Sequence, residues 1–375
     1  MTRRVTAILV GAGHAHLLVA SRAEALAALG ARVVLIEPAD FWYSGLASGM
    51  LGGMYAPDED RLDPRTLIEA HGGEFVRGRV ESVDTDRRRV RLADERELAY
   101  DLLSLNVGSQ VPVPFSEAMG DPSVWCVKPI SNLWRLREHL ETRLRDGDPP
   151  RVSVVGGGAT GVEVAANLLA LAVRHRVPMP VTLVTSTDRI IPQAPHRASQ
   201  TLQQKLARRG LTIRTRTCIA GREQQTLIAE DGSRFDAELV VLATGLEAHS
   251  LVQRTGLPVR CRDGLLVNAK LHSIDDDRVF ATGDCAALEG YELPKLGVFG
   301  VRQAAFLHAN LLASIAGKPL AEYQPQKRYL AILNLGDGTA LSAWGPFWWN
   351  GRTSMWLKDR IDRRFLNTYR RHSAG

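Results

Sequence analysis

Cysteine is scarce and scattered in this chain of 375 residues. Cys126, Cys218, Cys261 and Cys285 form no CxxC or CxxxxC pair, which argues against a local redox disulfide and against the usual zinc-ligand spacings. No apolar run reaches the roughly 18 residues that a membrane-spanning helix needs. The start, Met1-Thr2-Arg3-Arg4 followed by apolar residues, has the outline of a signal peptide. Glycine interrupts that run at Gly11 and a strand explains it better, so the chain is expected in the cytoplasm. Net charge is also missing from most of the chain. Residues 315–375 hold 10 Lys/Arg and 4 Asp/Glu, while the other 314 residues hold 37 of each sign. Basic character is therefore a property of the tail alone. No nucleic-acid-binding motif accompanies it, and nucleic acid is not an expected partner. His14 and His16 stand two apart on a turn, a spacing that does not aim both rings at one point, and no metal is expected.

Glycine is present in quantity, with 33 residues, and two clusters of it organise the chain. The run Val5-Thr6-Ala7-Ile8-Leu9-Val10 leads into Gly11-Ala12-Gly13-His14-Ala15-His16. Far along, Val152-Ser153-Val154-Val155 leads into Gly156-Gly157-Gly158-Ala159-Thr160-Gly161. Each turn lies between a β-branched run and an Ala/Leu/Val-rich helical pattern, the context a dinucleotide fingerprint requires. The first glycine permits the tight turn and the second lets backbone approach a pyrophosphate. The helix that follows presents free N–H groups and a positive dipole end. Two such turns suggest two dinucleotides held for electron transfer between them. His16 replaces the third glycine of the first turn; it is either a packed side chain or a neighbour of the pyrophosphate. The next strand, Arg32-Val33-Val34-Leu35-Ile36, ends in Glu37, placed to accept from ribose hydroxyls. After the second turn the corresponding position is Thr185, with Arg189 nearby, so both NADH and NADPH remain open.

After Glu37 a Gly/aromatic loop containing Tyr43 and Ser44 leaves the carboxyl end of the second strand, where open α/β sheets place ligands. Three more buried strands run into glycine, at Gly108, Gly245 and Gly283, the last followed by Asp284. The stretch 110–122, with three prolines, reads as a crossover between units.

These residues resemble the two-dinucleotide flavoprotein family of pyridine nucleotide oxidoreductases, over essentially the whole length. The motifs are the two glycine turns, Val162-Glu163 after the second, Ala243-Thr244-Gly245, and Ala281-Thr282-Gly283-Asp284. The resemblance implies an α/β fold of two Rossmann-like domains of the glutathione-reductase type plus a short C-terminal segment. FAD would occupy residues 1–115 and 265–335, NAD(P)H residues 116–264, and the tail residues 336–375. It implies Asp284 on the FAD ribitol and Glu163 near the nicotinamide. More narrowly the chain looks like type II NADH dehydrogenases, and like the FAD modules found fused ahead of selenophosphate synthetase. Tyr43-Ser44-Gly45, residues 103–109, 295–303 and 356–365 carry that likeness. The CxxxxC of disulfide reductases and the cysteine set of sulfide:quinone reductases are missing.

The implied activity is transfer of electrons from NADH or NADPH through FAD to a small acceptor such as a quinone. Reduction of sulfur or selenium compounds, or redox signalling without catalysis, are the alternatives. Candidate catalytic residues are Lys295, either a flavin-tuning cation or a solvated surface group, Gln303, which resembles a quinone-side glutamine, and Tyr43, lining the flavin with Ser44 or packed in the core. Cofactor contacts are expected from Gly11, Gly13, His16, Glu37, Gly108, Gly156, Gly158, Gly161, Glu163, Gly245, Gly283 and Asp284. In the tail, Trp356, Leu357, Ile361 and Phe365 recur at helical spacing among arginines. Such a helix either lies on the inner face of the cell membrane or packs on the protein or on a second copy in a dimer.

Overall fold

The structure, a computed structural model, describes residues 4–113, 115 and 120–373. Part of the expected crossover, and the boundary at 115/116, fall on residues outside those described. Two parallel five-stranded sheets form the frame. The first has the order Val279–Ala281, Leu102–Leu105, Thr6–Val10, Arg32–Glu37, Glu74–Arg77. The second runs Val124–Cys126, Leu239–Leu242, Val152–Val155, Val181–Val184, Leu211–Arg214. Central strands such as Leu102–Leu105 and Leu239–Leu242 are buried at every position. That is why they read as near-continuous apolar runs, broken in the first only by Ser104, rather than as alternating ones. Each sheet carries an antiparallel meander, Val80–Asp84 with its neighbours and Ile219–Glu223 with its neighbours.

Strand register aligns the ends that matter. Val10 faces Ile36 on one side and Leu105 on the other, and Val155 faces Val184 and Leu242. All these strands therefore release their following turns at one edge, the carboxyl edge. Helix His14–Ala20 packs beside helix Gly297–Ile315. Gly300 permits the approach, because a Cβ there would lie 3.4 Å from Gly283 Cα and 3.7 Å from His14 Cβ.

Strand Ala331–Asn334 pairs with Ala340–Trp344, which pairs with Phe347–Gly351. The first strand of this three-stranded sheet lies ahead of residue 336. The sheet is followed by helix Arg352–Ser373. The inward stripe of that helix is Met355, Lys358, Asp362, Leu366 and Tyr369, whereas Trp356 and Ile361 are 65% and 45% exposed. The stripe expected from the sequence is split. Phe365 packs on the core, while Trp356 and Ile361 point away from it.

Candidate active site

Gly11 adopts φ +87°, and a Cβ there would lie 2.6 Å from the carbonyl oxygen of Asn106. Gly13 is packed against the Asn106 side chain in the same way, so neither position admits a side chain. Asn106 is 4% exposed. Its Oδ1 accepts from the N–H groups of Ala15 and His16 at 3.1 and 3.3 Å, and its Nδ2 donates to Thr282 O at 2.7 Å. One amide therefore fastens the first turn to the strand that carries Asp284. Glu37 Oε2 accepts from Ala12 N–H at 2.7 Å, and burial raises the carboxyl above its ordinary range. The carboxylate stands at the end of its strand, where a ribose would reach it.

His16 does not reach that cradle. It is fully buried, with Nδ1 2.5 Å from Gly11 O and Nε2 2.8 Å from Ser104 Oγ. Burial pulls its pKa down to about 4, so the ring is neutral and supports the turn from below. The histidine that faces the site is His14. Its ring meets Phe41, Tyr43 and Phe365 at centroid distances of 5.4, 5.7 and 5.5 Å. Burial lowers it to about 4 as well, with the Asp284 carboxylate opposing and the Lys128 ammonium adding to the shift. A Cβ on Gly297 would lie 3.2 Å from His14 Cε1 and 3.6 Å from Ser44 Oγ. His14, Ser44 and the start of helix Gly297–Ile315 thus stand together at one site. No side chain caps that helix, so its positive end is directed there.

Asp284 lies at the same place. Ser109 Oγ donates to its Oδ2 at 2.6 Å, and Lys128 Nζ stands 3.6 Å away. Gly108 and Gly283 turn the chain at φ +74° and +68°. Gln303, expected on the acceptor side, is 2% exposed, and its Oε1 accepts from Gly283 N–H at 2.6 Å. It holds the turn under Asp284. Lys295 is half-buried, and its ammonium donates to the Asp263 carbonyl. Burial lowers its pKa against the pull of Asp284.

At the second turn Gly156 adopts φ +126° with the Ala243 carbonyl directly beneath it, and Gly161 sits against the Gly156 carbonyl. Nothing lies within 4 Å of where a Cβ on Gly158 or Gly245 would project, and no side chain caps helix Ala159–His175. That open, donor-rich turn fits a pyrophosphate. Thr185 is 5% exposed and packs beneath Gly157, its hydroxyl bonded to Thr187 Oγ1 at 2.8 Å. Arg189 folds back to donate to Pro192 O at 2.7 Å.

Glu163 joins three units. Its Oε1 accepts from Asn334 N–H at 2.7 Å and Ser48 Oγ at 3.3 Å. Burial raises its pKa, partly offset by Lys358. Tyr43 is nearly buried, stacked on Phe365 at 4.7 Å, and its hydroxyl donates to Asp362 Oδ1 at 2.9 Å. Tyr43 and Ser44 stand at the start of helix Ser44–Leu51, and Tyr43 is also tied to the C-terminal helix. His14, Asn106, Lys128, Lys358 and Asp362 were not singled out as site residues from the sequence. For Asn106 a signal existed, an amide where a buried strand ends; for the others the contacts span too much chain.

Two dinucleotide turns, each at the carboxyl edge of a parallel sheet, define a two-nucleotide oxidoreductase of the α/β class. The chain belongs to the pyridine nucleotide-disulphide oxidoreductase family, whose model matches residues 5–305. It is 26% identical over 361 residues to a type II NADH:quinone oxidoreductase of Haemophilus influenzae, covering 84% of this chain and 80% of that one. It is 27% identical over 300 residues to a demethylphylloquinone reductase of Synechocystis, covering 74% and 71%. In fold it is similar to NDH2 from Plasmodium falciparum in complex with NADH, with TM-score 0.82, 15% identity and 99% and 97% of the two chains covered.

Proposed function

We propose that this chain is an FAD-dependent NADH dehydrogenase delivering electrons to a quinone-like acceptor. The observation that supports it best is the convergence of His14, Ser44, Asp284 and an uncapped helix start, with Glu163 linking the helix after the second turn to the C-terminal unit. Bound FAD would supply the chemistry that takes two electrons from the nicotinamide and returns them to an acceptor. The protein's own part is electrostatic and positional. Glu37 and Asp284 would hold the ribose and ribitol hydroxyls. The positive end of helix Gly297–Ile315 would stabilise negative charge developing beside it. Glu163, held toward neutrality by burial, would leave room for a nicotinamide without repelling it. The assignments of residues 1–115 with 265–335 to FAD and 116–264 to the nicotinamide nucleotide form part of this reading.

The test is NADH oxidation by FAD-loaded protein with a short-chain quinone, polysulfide and selenite in parallel. Turnover with the quinone alone supports the reading; turnover with polysulfide or selenite alone overturns it in favour of sulfur or selenium chemistry. Cys285 does not help that alternative. It is fully buried, its thiol donates to the carbonyls of Leu105 and Thr282 at 3.4 and 3.3 Å, and burial pushes it up to about 11. The likeness to modules joined to selenophosphate synthetase rests on sequence alone: the first glycine turn, Tyr43-Ser44-Gly45 and residues 103–109, 295–303 and 356–365.

The acceptor reading extends to a membrane surface. Among the described residues no helix is long and apolar enough to cross a membrane. Trp344, Phe347 and Trp356 are 53%, 68% and 65% exposed, and Arg352, Arg360 and Arg364 are exposed in the same unit. Tryptophan at headgroup depth with arginine on anionic lipid suits an interfacial contact on the inner face of the membrane.

A further inference from the structure

Behind Tyr43 lies a buried polar cluster for which electron transfer alone has no use. Asp60 is 0% exposed, and neither of its carboxyl oxygens has a hydrogen-bond partner. Its backbone carbonyl accepts from Tyr43 N–H at 2.9 Å, which fixes it beside Tyr43. Facing it from the C-terminal helix are Asp362, Lys358 and Arg370, and from the preceding turn Tyr43. Lys358 donates to Asp362 Oδ2 at 2.8 Å and to Gly45 O at 2.6 Å; Asp362 Oδ1 accepts from Tyr43. Glu163 interacts with Lys358 and Asp362 from the far side. One buried ammonium is therefore surrounded by three carboxyls, Asp60, Asp362 and Glu163. Arg370 is half-buried and donates to the Asp58 carbonyl. Ionising all three would leave uncompensated negative charge away from water, which costs several kcal/mol per group, so the cluster retains protons. Asp60, which lacks any donor, is the group that keeps one.

We propose that Asp60 stores the proton that acceptor reduction consumes and passes it through Asp362 and Tyr43 toward the site beside His14. This rests on the quinone reading above. A hydride from NADH carries two electrons and one proton, whereas a quinone becoming a quinol takes two electrons and two protons. The second proton must come from the protein or from solvent. When Asp60 gives its proton to Asp362, the hydrogen bond to Tyr43 reverses. The carboxyl then donates to the phenol oxygen, and the phenol hydrogen turns to the reduced acceptor. Tyr43 recovers its hydrogen from Asp362, and Asp60 is reprotonated from solvent. Asp60 touches neither cofactor nor acceptor and is a positioning residue for that proton. Its carboxyl is pushed up to about 9, first by burial and then by Asp362, with Lys358 and Arg370 opposing, so it is loaded at neutral pH.

The experiment compares full-length, FAD-loaded wild type with Asp60→Asn on two acceptors. Ferricyanide takes electrons without protons, and a short-chain quinone takes both. The variant should keep ferricyanide turnover within about twofold and lose about tenfold with the quinone. Wild-type quinone turnover should fall above about pH 9, and the variant should lack that limb. Infrared spectra supply a readout independent of turnover: a protonated-carboxyl C=O band at neutral pH that Asp60→Asn removes. Tyr43→Phe should cut quinone turnover and keep the band. If Asp60→Asn does not fold, Asp60→Glu should retain quinone turnover, and its carboxyl band should shift. Equal loss on both acceptors, or an unchanged infrared spectrum, overturns the inference. Quinone turnover that Asp60→Asn leaves intact overturns it alone. A wild type that reduces ferricyanide but no quinone overturns the acceptor reading and the inference with it.

Discussion

Asn106 binds the first glycine turn, the helix behind it and the Thr282 carbonyl with one side chain. Replacing it by alanine strands two buried N–H groups and a carbonyl, at a cost of about 3 kcal/mol. A urea titration of Asn106→Ala should show a lower midpoint with an unchanged slope. Glu37→Ala removes an acceptor that a ribose would share with Ala12 N–H, and FAD affinity should fall about tenfold in a fluorescence titration. His16 gives a pH signature. Its folded pKa lies near 4, below the ordinary 6.5, so the unfolded chain binds the proton more tightly. Its contribution is present above about pH 6.5 and is lost as pH falls toward 4, by about 3 kcal/mol. Urea midpoints that stay level over that window would contradict a buried neutral ring. Thr185 reads in sequence as a missing ribose acid. In the fold it is packed under Gly157 and bonded to Thr187. Thr185→Glu should therefore lower stability and weaken NADH and NADPH alike, rather than select one. For the wild type, KM values should differ by less than about tenfold, about 1.4 kcal/mol, because Arg189 is engaged with Pro192.

The C-terminal helix shows what periodicity can and cannot reveal. Its existence is legible in the recurrence of apolar residues between Trp356 and Phe365. Its orientation is not, because the inward stripe includes Lys358 and Asp362, which are 7% and 5% exposed. A Lys–Asp pair at i, i+4 reads as a surface ion pair from sequence alone. Only a distant partner, Tyr43 with Gly45, makes it a buried one. A truncation after Ala343 should consequently yield protein that retains no FAD and melts at lower temperature, since it removes the partners of Tyr43 and Gly45. Membrane contact has to be tested by a gentler change. Trp344→Ser, Phe347→Ser and Trp356→Ser together should abolish salt-sensitive pelleting on anionic vesicles and leave the melting temperature within a few degrees. Pelleting that survives the triple change would place the contact elsewhere.

At the scale of the whole molecule, the parts carried by short-range pattern were legible: both glycine turns, Glu37 at a strand end, Asp284 after a glycine, and the α/β class. The parts carried by long-range packing were not. His14 meets Phe365 across most of the chain, Asp60 meets Asp362, and Gln303 turns inward because Gly283 needs an acceptor. Such pairings follow from how the units close on one another, and no local window contains them. What joins these parts is the passage of electrons from NADH through a flavin beside His14 and Asp284 to a quinone. Anaerobic sequential-mixing stopped flow tests it most directly. FAD-loaded protein mixed with a single equivalent of NADH should lose the oxidised-flavin absorbance within milliseconds, and a second mix with a short-chain quinone should restore it as fast. Flavin that NADH leaves oxidised, or reduced flavin that the quinone fails to reoxidise, would contradict the account.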